Sequence, residues 1–171
     1  MNKVVVIPIK TNNQRLPGKN TMMLGDKPLY QHLFDTVVKC DNIDKIYVDS
    51  SDEEILKIAE SFGFDTFLRN VDLNGPETSG NDLIQNFLEE IDCDILGQFF
   101  VTTPFLSSKT IDRSFEILIE NEHMDSCFGL YEVQDRFWID NKPVNHAMKK
   151  LVGTQFMKPL KREAGFYVFR R

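Results

Sequence analysis

The segment Lys10-Thr11-Asn12-Asn13-Gln14-Arg15-Leu16-Pro17-Gly18-Lys19-Asn20 gathers three cations, four amide side chains and a single glycine. Residues of these types bind a polyanion. An ammonium within about 4 Å of a phosphate contributes roughly 4 kcal/mol of attraction at an effective dielectric near 20, and amides add neutral donors beside it. The segment is neither a G-x-x-x-x-G-K-[ST] phosphate loop nor a G-x-G-x-x-G fingerprint. Those motifs cradle phosphates with backbone N–H groups, so here side chains must be the donors. Pro17 and Gly18 mark the turn that would direct Lys19 back towards the phosphates. A polar surface loop could share this composition, and the charge pattern of the chain helps to decide. Net charge is −6, yet the first 25 residues hold Lys3, Lys10, Arg15 and Lys19 and no acid. A short positive island on an acidic chain suits a small polyanion and argues against nucleic acid as partner.

Such a loop must be positioned. Lys3 to Ile9 is a continuous β-branched run, the mark of a strand buried on both faces, and ligands of open α/β sheets bind beyond strand carboxyl ends. Helical stripes follow at Pro28–Lys39 (Leu29, Leu33, Val37, Val38) and after Ser51, where Ser51 is expected to cap a helix opening on Asp52-Glu53-Glu54 and closing at Gly63. A helix opening at Asn81 or Asp82 uses Leu83, Ile84, Phe87, Leu88 and Ile91, and Thr110–Glu120 supplies another. Between them lie strands at 45–48, 66–68, 95–102 and 126–130, with a last one at 165–169. Alternating strand and helix predicts a mostly parallel sheet sandwiched between helices. After Val133 the pattern breaks: Phe137 to Pro143 reads as a strand and a turn on Asp140-Asn141, and 144–162 is irregular, so that 134–162 forms a protruding arm.

A chain of 171 residues fits a single domain with a small excursion. It has no apolar run long enough for a transmembrane helix and no signal peptide, so a cytoplasmic location away from membranes is expected. Cys40, Cys93 and Cys127 show neither a disulfide framework nor a zinc spacing and are expected as buried free thiols. The three histidines have no metal-ligand spacing. Acid pairs such as Asp92 and Asp94, or Asp52-Glu53-Glu54, fall at helix starts and loops and are not assigned as metal ligands.

Ile7-Pro8 followed by Arg15-Leu16-Pro17-Gly18-Lys19-Asn20 and Leu24-Gly25-Asp26-Lys27-Pro28-Leu29 resembles the opening of the acylneuraminate (CMP-sialic acid synthetase-like) and KDO cytidylyltransferases. The resemblance extends through Val48-Asp49-Ser50-Ser51-Asp52-Glu53-Glu54-Ile55, similar to the family's V-S-T-D-D-E-E-I, and through Phe67-Leu68-Arg69 with Thr78-Ser79, Thr102-Thr103-Pro104-Phe105 and Gly165-Phe166-Tyr167-Val168. It implies a Rossmann-like three-layer α/β sandwich, the nucleotide-diphospho-sugar transferase fold, with the arm at 134–162 as contact of a homodimer. It also implies transfer of CMP from CTP to the anomeric hydroxyl of a nonulosonic, nine-carbon sugar acid, with release of pyrophosphate, a step that serves cell-surface polysaccharide synthesis. By resemblance Lys19 is the catalytic lysine beside the α-phosphate. Lys10 and Asn20 likewise bind the triphosphate, with Asn12, Asn13 and Arg15 of the same loop as further side-chain donors by their chemistry; Arg69 with Thr78, Ser79 and Gly80 holds the cytosine, and Thr102 and Gln155 complete substrate binding. For Arg69 a structural ion pair is the other reading.

The departures are specific. Where the resemblance puts an arginine before T-Q the chain has Gly153, and Phe100 replaces a sugar-contacting glutamine or histidine. The family's magnesium-binding D-I-D lies beyond its late strand, a segment absent here, so Mg²⁺ would be held mainly by the triphosphate with no protein ligand. Two readings stay open: an active cytidylyltransferase lacking its C-terminal portion, and a degenerate member that binds nucleotide or a partner chain without catalysis.

Overall fold

Val4, Val5, Val6 and Ile7 are all buried, which is possible only in a strand covered on both faces. In the computed structural model, which describes residues 1–11, 13 and 15–171, they form the central strand β1 (Lys3–Pro8). Its neighbours are β4 (Lys45–Ser50) and β6 (Ile95–Phe99), both parallel to it, and β5 (Asp65–Leu68) pairs parallel with β4. On the other side β10 (Leu160–Arg170) runs antiparallel to β6, and β7 (Ser126–Val133) lies at the edge, giving the order β5-β4-β1-β6-β10-β7. A ribbon of β2 (Met23–Leu24) and β3 (Lys27–Pro28), absent from the sequence expectation, precedes the first helix. The class is therefore mixed α/β with a mostly parallel sheet.

The helices α1 (Leu29–Val37), α2 (Glu53–Ser61), α3 (Gly80–Glu90) and α4 (Ser108–Glu120) connect or flank these strands. Their starts correct the sequence expectation in two places. Asp52, not Ser51, caps α2, its carboxylate accepting from the Glu54 and Ile55 amides. Ser79 caps α3 in a reciprocal box with Asp82, so Asp82 is the third residue of that helix and not its opening. Each cap contributes on the order of 1 kcal/mol. Strand β6 also ends at Phe99, three residues short of expectation, because the Thr103 amide and hydroxyl both turn back onto the Phe100 carbonyl.

One face of the sheet packs Val4, Val6, Tyr47, Phe67 and Leu96 against Phe87 of α3. Its other face carries Phe99, stacked between Phe115 of α4 (centroids 6.4 Å apart) and Phe166 of β10 (5.4 Å). The cysteines are free, with Cys93 buried and Cys40 and Cys127 half-buried. Burial beside Asp112 and Asp41 pushes the Cys40 thiol up to about 12, so it is unreactive. No helix among the described residues is long and apolar enough to cross a membrane.

The chain divides into two compact units, Met1–Cys127 with Gly165–Arg171, and Phe128–Ala164. Within the second, β8 (Trp138–Ile139) and β9 (Lys142–Pro143) form a hairpin whose turn residues Asp140 and Asn141 have φ of 48° and 62°. This is the left-handed pair of a type I′ turn, which Asp and Asn tolerate. Its irregular stretches are tied by side chains. Gln134 donates to the Thr154 and Met157 carbonyls, Arg136 to Val152, and Asn145 to Asp135 and Lys158.

Gly97 on β6 faces the aromatic layer. A Cβ there would stand 2.6 Å from the Phe99 ring and 2.8 Å from the Phe115 ring, closer than packed carbon atoms approach. Gly97→Ala should therefore lose about 1–3 kcal/mol of stability, read from urea unfolding, with a larger loss for Gly97→Val.

Candidate active site

Chain direction reverses at β1: one crossover leads to β4 on one side, and β6 lies on the other. The carboxyl ends of β1 and β6 therefore flank a crevice at a topological switch point. Beyond β1, Ile9 is still anchored, its amide donating to the Asp49 carbonyl at 2.9 Å. The next residue organises the loop. The Lys10 carbonyl accepts from the Asn13 and Asn20 side-chain amides, both at 2.7 Å, which ties Asn13 and the buried Asn20 back to the start of the loop. At the far end the Lys19 amide donates to the Leu16 carbonyl at 3.1 Å, and Gly18 has φ 68° and ψ 10°. With Pro17 ahead of it, this is a type II turn, whose third position requires a positive φ and so favours glycine. A short 3₁₀ turn, Lys19–Thr21, follows directly.

A second element comes from the end of β5. Arg69 is 2% exposed and forms a two-pronged ion pair with Asp49 of β4, from Nε to Oδ1 and from Nη2 to Oδ2, each at 2.9 Å. Nη2 also donates to the Asp49 carbonyl at 2.8 Å. A guanidinium has five N–H groups, and these bonds use the one on Nε and both on Nη2. Nη1 is buried with no partner among the described residues. An unsatisfied buried donor costs about 1–3 kcal/mol, so this nitrogen is an expense unless a ligand meets it.

The two elements meet at a cavity of about 400 Å³, within the usual range for small-molecule sites. The loop after β1 contributes Lys10, Arg15 and Lys19 with Asn13 and Asn20 to its lining. The end of β5 and the start of α3 contribute Arg69, Thr78, Gly80 and Leu83, and the segment after β6 adds Phe100, Val101 and Thr102. Nine residues singled out from the sequence thus share one cavity. Ser79 is not in its lining, its hydroxyl being engaged with Asp82. Gln155 sits in the 3₁₀ turn Thr154–Phe156 of the second unit, and Asn12 lies outside the described residues. Asp49, Leu83 and Val101 were not found from sequence. For Asp49 a signal existed, since a carboxylate at the end of a buried strand needs a partner.

The electrostatics follow from this crowding. Lys10, whose ammonium donates to the Gly75 carbonyl at 3.0 Å, is held below its ordinary range first by burial and then by the nearby Arg69 charge. Burial pushes the Asp49 carboxyl upward, against the pull of the Arg69 hydrogen bonds and charge. Arg15 and Lys19 have no side-chain partner among the described residues. No carboxylate lines the cavity, and the described residues contain no cluster of three or more His, Cys, Asp or Glu able to hold a metal.

The chain is similar to known proteins. The family model described as cytidylyltransferase matches residues 4–152. A 3-deoxy-manno-octulosonate cytidylyltransferase of Hydrogenovibrio crunogenus is 34% identical over 93 residues, covering 54% of this chain and 36% of the relative. A pseudaminic acid cytidylyltransferase of Campylobacter jejuni is 25% identical over 128 residues, or 71% of this chain and 55% of the relative. The matched stretch is thus roughly a third to a half of these relatives' length. A solved CMP:2-keto-3-deoxy-manno-octonic acid synthetase in complex with CTP superposes with a TM-score of 0.77 over 99% of this chain and 74% of that one. At 16% identity this likeness bears on the fold.

The lowered Lys10 fixes the sign of a pH effect. Between its native value and the ordinary lysine value of 10.5, the unfolded chain binds more protons than the native one, so stability rises with pH through that window. The penalty is fully present below the native value and is relieved above 10.5. Lys10→Met should remove it, so the variant's stability relative to the parent should decline as pH climbs through the window. Urea unfolding of both proteins across alkaline pH reads this difference.

Proposed function

The chain belongs to the cytidylyltransferase family, and we propose that its site transfers CMP from CTP to the anomeric hydroxyl of a nonulosonic, sialic-acid-like sugar acid. The observation that carries this reading is one cavity at the switch point whose lining holds three cations without a carboxylate partner among the described residues, together with an arginine that keeps two unspent N–H groups. Lys10, Arg15 and Lys19 would take the triphosphate. Arg69 Nη1, with the backbone around Thr78 and Gly80, would take the base, where a pyrimidine offers a carbonyl oxygen as acceptor.

In the reaction the sugar hydroxyl oxygen forms a bond to the α-phosphorus and gives up its proton to solvent, the bond from that phosphorus to the α–β bridging oxygen breaks, and pyrophosphate leaves. Such chemistry depends on positioning and on neutralising charge. Lys19, held at the end of the type II turn, is the residue we assign to the α-phosphate. A divalent ion does not fit a protein-held position here, because the lining offers no carboxylate. Mg²⁺ enters this reading only as the companion of the triphosphate. In the second unit the exposed Ile139, Leu151 and Phe156 support contact with another copy of the chain.

A reading without catalysis is favoured by Phe100, an aromatic ring in the cavity lining where a polar sugar contact would be expected. The experiment separates the two. At a hundredfold excess over Kd, CTP should stabilise the protein by about 2.7 kcal/mol, or about 5–10 °C in Tm for a chain of this size, more than UTP, GTP or ATP, and Lys19→Ala should abolish the shift. With CTP and a panel of nonulosonic acids, pyrophosphate release should fall about 10²–10³-fold in the same variant. A shift without pyrophosphate release leaves nucleotide binding alone, and no shift with any nucleotide sinks both nucleotide readings and leaves only binding of a partner chain.

A further inference from the structure

Four cations line the cavity, but they are not equivalent. Lys10 leans on a backbone carbonyl, and Arg15 and Lys19 have no side-chain partner among the described residues, so the charge of all three remains available to a ligand. Arg69 alone is paired with a carboxylate, and that carboxylate is buried at 2% exposure. Asp49 does two things to it. The two-pronged pair cancels the guanidinium charge within the protein. Together with the Asp49 carbonyl, it also consumes three N–H groups, leaving both hydrogens on Nη1.

We propose that Asp49 is a positioning residue for base recognition: by neutralising Arg69 and fixing its orientation, it makes Nη1 a donor to an uncharged carbonyl oxygen of the nucleobase and prevents Arg69 from acting as a further phosphate site. This rests on the nucleotide reading above. Its physical basis is the difference between a net cation and a paired one. An unpaired guanidinium favours the bidentate, anionic acceptors of a phosphate. A guanidinium whose fork is already occupied by a carboxylate has little net field to offer an anion but keeps its hydrogen-bond donors. Without Asp49 the cavity would have four like charges and two competing registers for a triphosphate. The carboxylate removes one register, leaving Lys10, Arg15 and Lys19 for the phosphates and Arg69 Nη1 for the base. Lys10 gains as well, because the Arg69 charge already depresses it, and an uncompensated Arg69 would depress it further.

The test compares CTP with inorganic tripolyphosphate, which carries the charge without the base, by calorimetric titration of the full chain and of Asp49→Asn. In the parent protein CTP should bind more tightly than tripolyphosphate by about tenfold or more, the worth of a hydrogen bond from a charged donor. In Asp49→Asn, CTP affinity should fall by a similar factor while tripolyphosphate affinity holds or rises, so the ratio collapses. Equal losses for both ligands would give Asp49 a merely structural role and overturn the proposal, as would an unchanged ratio. Circular dichroism reports whether the variant folds. If it does not, Arg69→Lys keeps a cation for Asp49 but has no fork, and it should lose the CTP advantage while keeping tripolyphosphate. If Arg69→Lys keeps the full CTP advantage, the proposal fails. A parent protein that binds neither ligand would instead refute the nucleotide reading on which the proposal stands.

Discussion

The carbonyl oxygen of Asp49 is where three parts of the molecule are joined. It accepts the Ile9 amide at 2.9 Å and Arg69 Nη2 at 2.8 Å, so the ends of β1, β4 and β5 converge on one peptide group. Parallel strands buried on both faces leave their polar business to their carboxyl ends. The Asp49 side chain adds the two-pronged bond that keeps a fully buried arginine in place. Removing one member of such a pair is costly, about 3–5 kcal/mol, because the other is left as a buried charge. The loop from Lys10 onward therefore starts from a rigid point, and the cavity wall that carries Arg69 is set by the same contact.

From that point the loop is shaped by neutral ties. The Lys10 carbonyl gathers two asparagine amides, and the Lys10 ammonium reaches the Gly75 carbonyl across to the segment preceding α3. None of these bonds involves a carboxylate. Asparagine at positions 13 and 20 thus does structural work without using any positive charge, and the Pro17-Gly18 turn fixes Lys19 through backbone geometry alone. Ordering the loop in advance reduces the entropy that a ligand would have to overcome on binding.

How far all this could be read from the residues depends on how local the cause is. The β1 run and the helical stripes were plain, because burial on both faces or on one helical face leaves a repeating apolar signal. Helix starts were displaced where two candidates compete: Ser79 and Asp82 are partners in one cap, and Asp52 prevails over Ser51 because its carboxylate reaches two amides. Strand β10 begins at Leu160, five residues before its apolar core, since the mostly exposed stretch from Leu160 to Ala164 carries no apolar alternation. The cationic loop was legible from charge and its place after a strand. That Asp49 is the partner of Arg69 was harder to name, since the pair joins residues 20 apart through a sheet register that only the folded strands establish, and the ion pair, by leaving Nη1 without a partner among the described residues, is compatible with the ligand-binding reading, which stays a proposal.

That compatibility explains why an acidic chain can keep a cationic cavity. Lys3 and Lys27, close in sequence to the loop, are paired with Asp44 and Asp35, whereas Lys10, Arg15 and Lys19 have no carboxylate partner among the described residues. A ligand entering the cavity therefore displaces water, and no ion pair has to break first. The Asp49–Arg69 pair places only its arginine in the lining, and the buried carboxylate behind it does not compete for the anion. Separating the charge that attracts a ligand from the hydrogen bonds that would identify it requires a carboxylate in the interior and none in the lining, and this is the arrangement found.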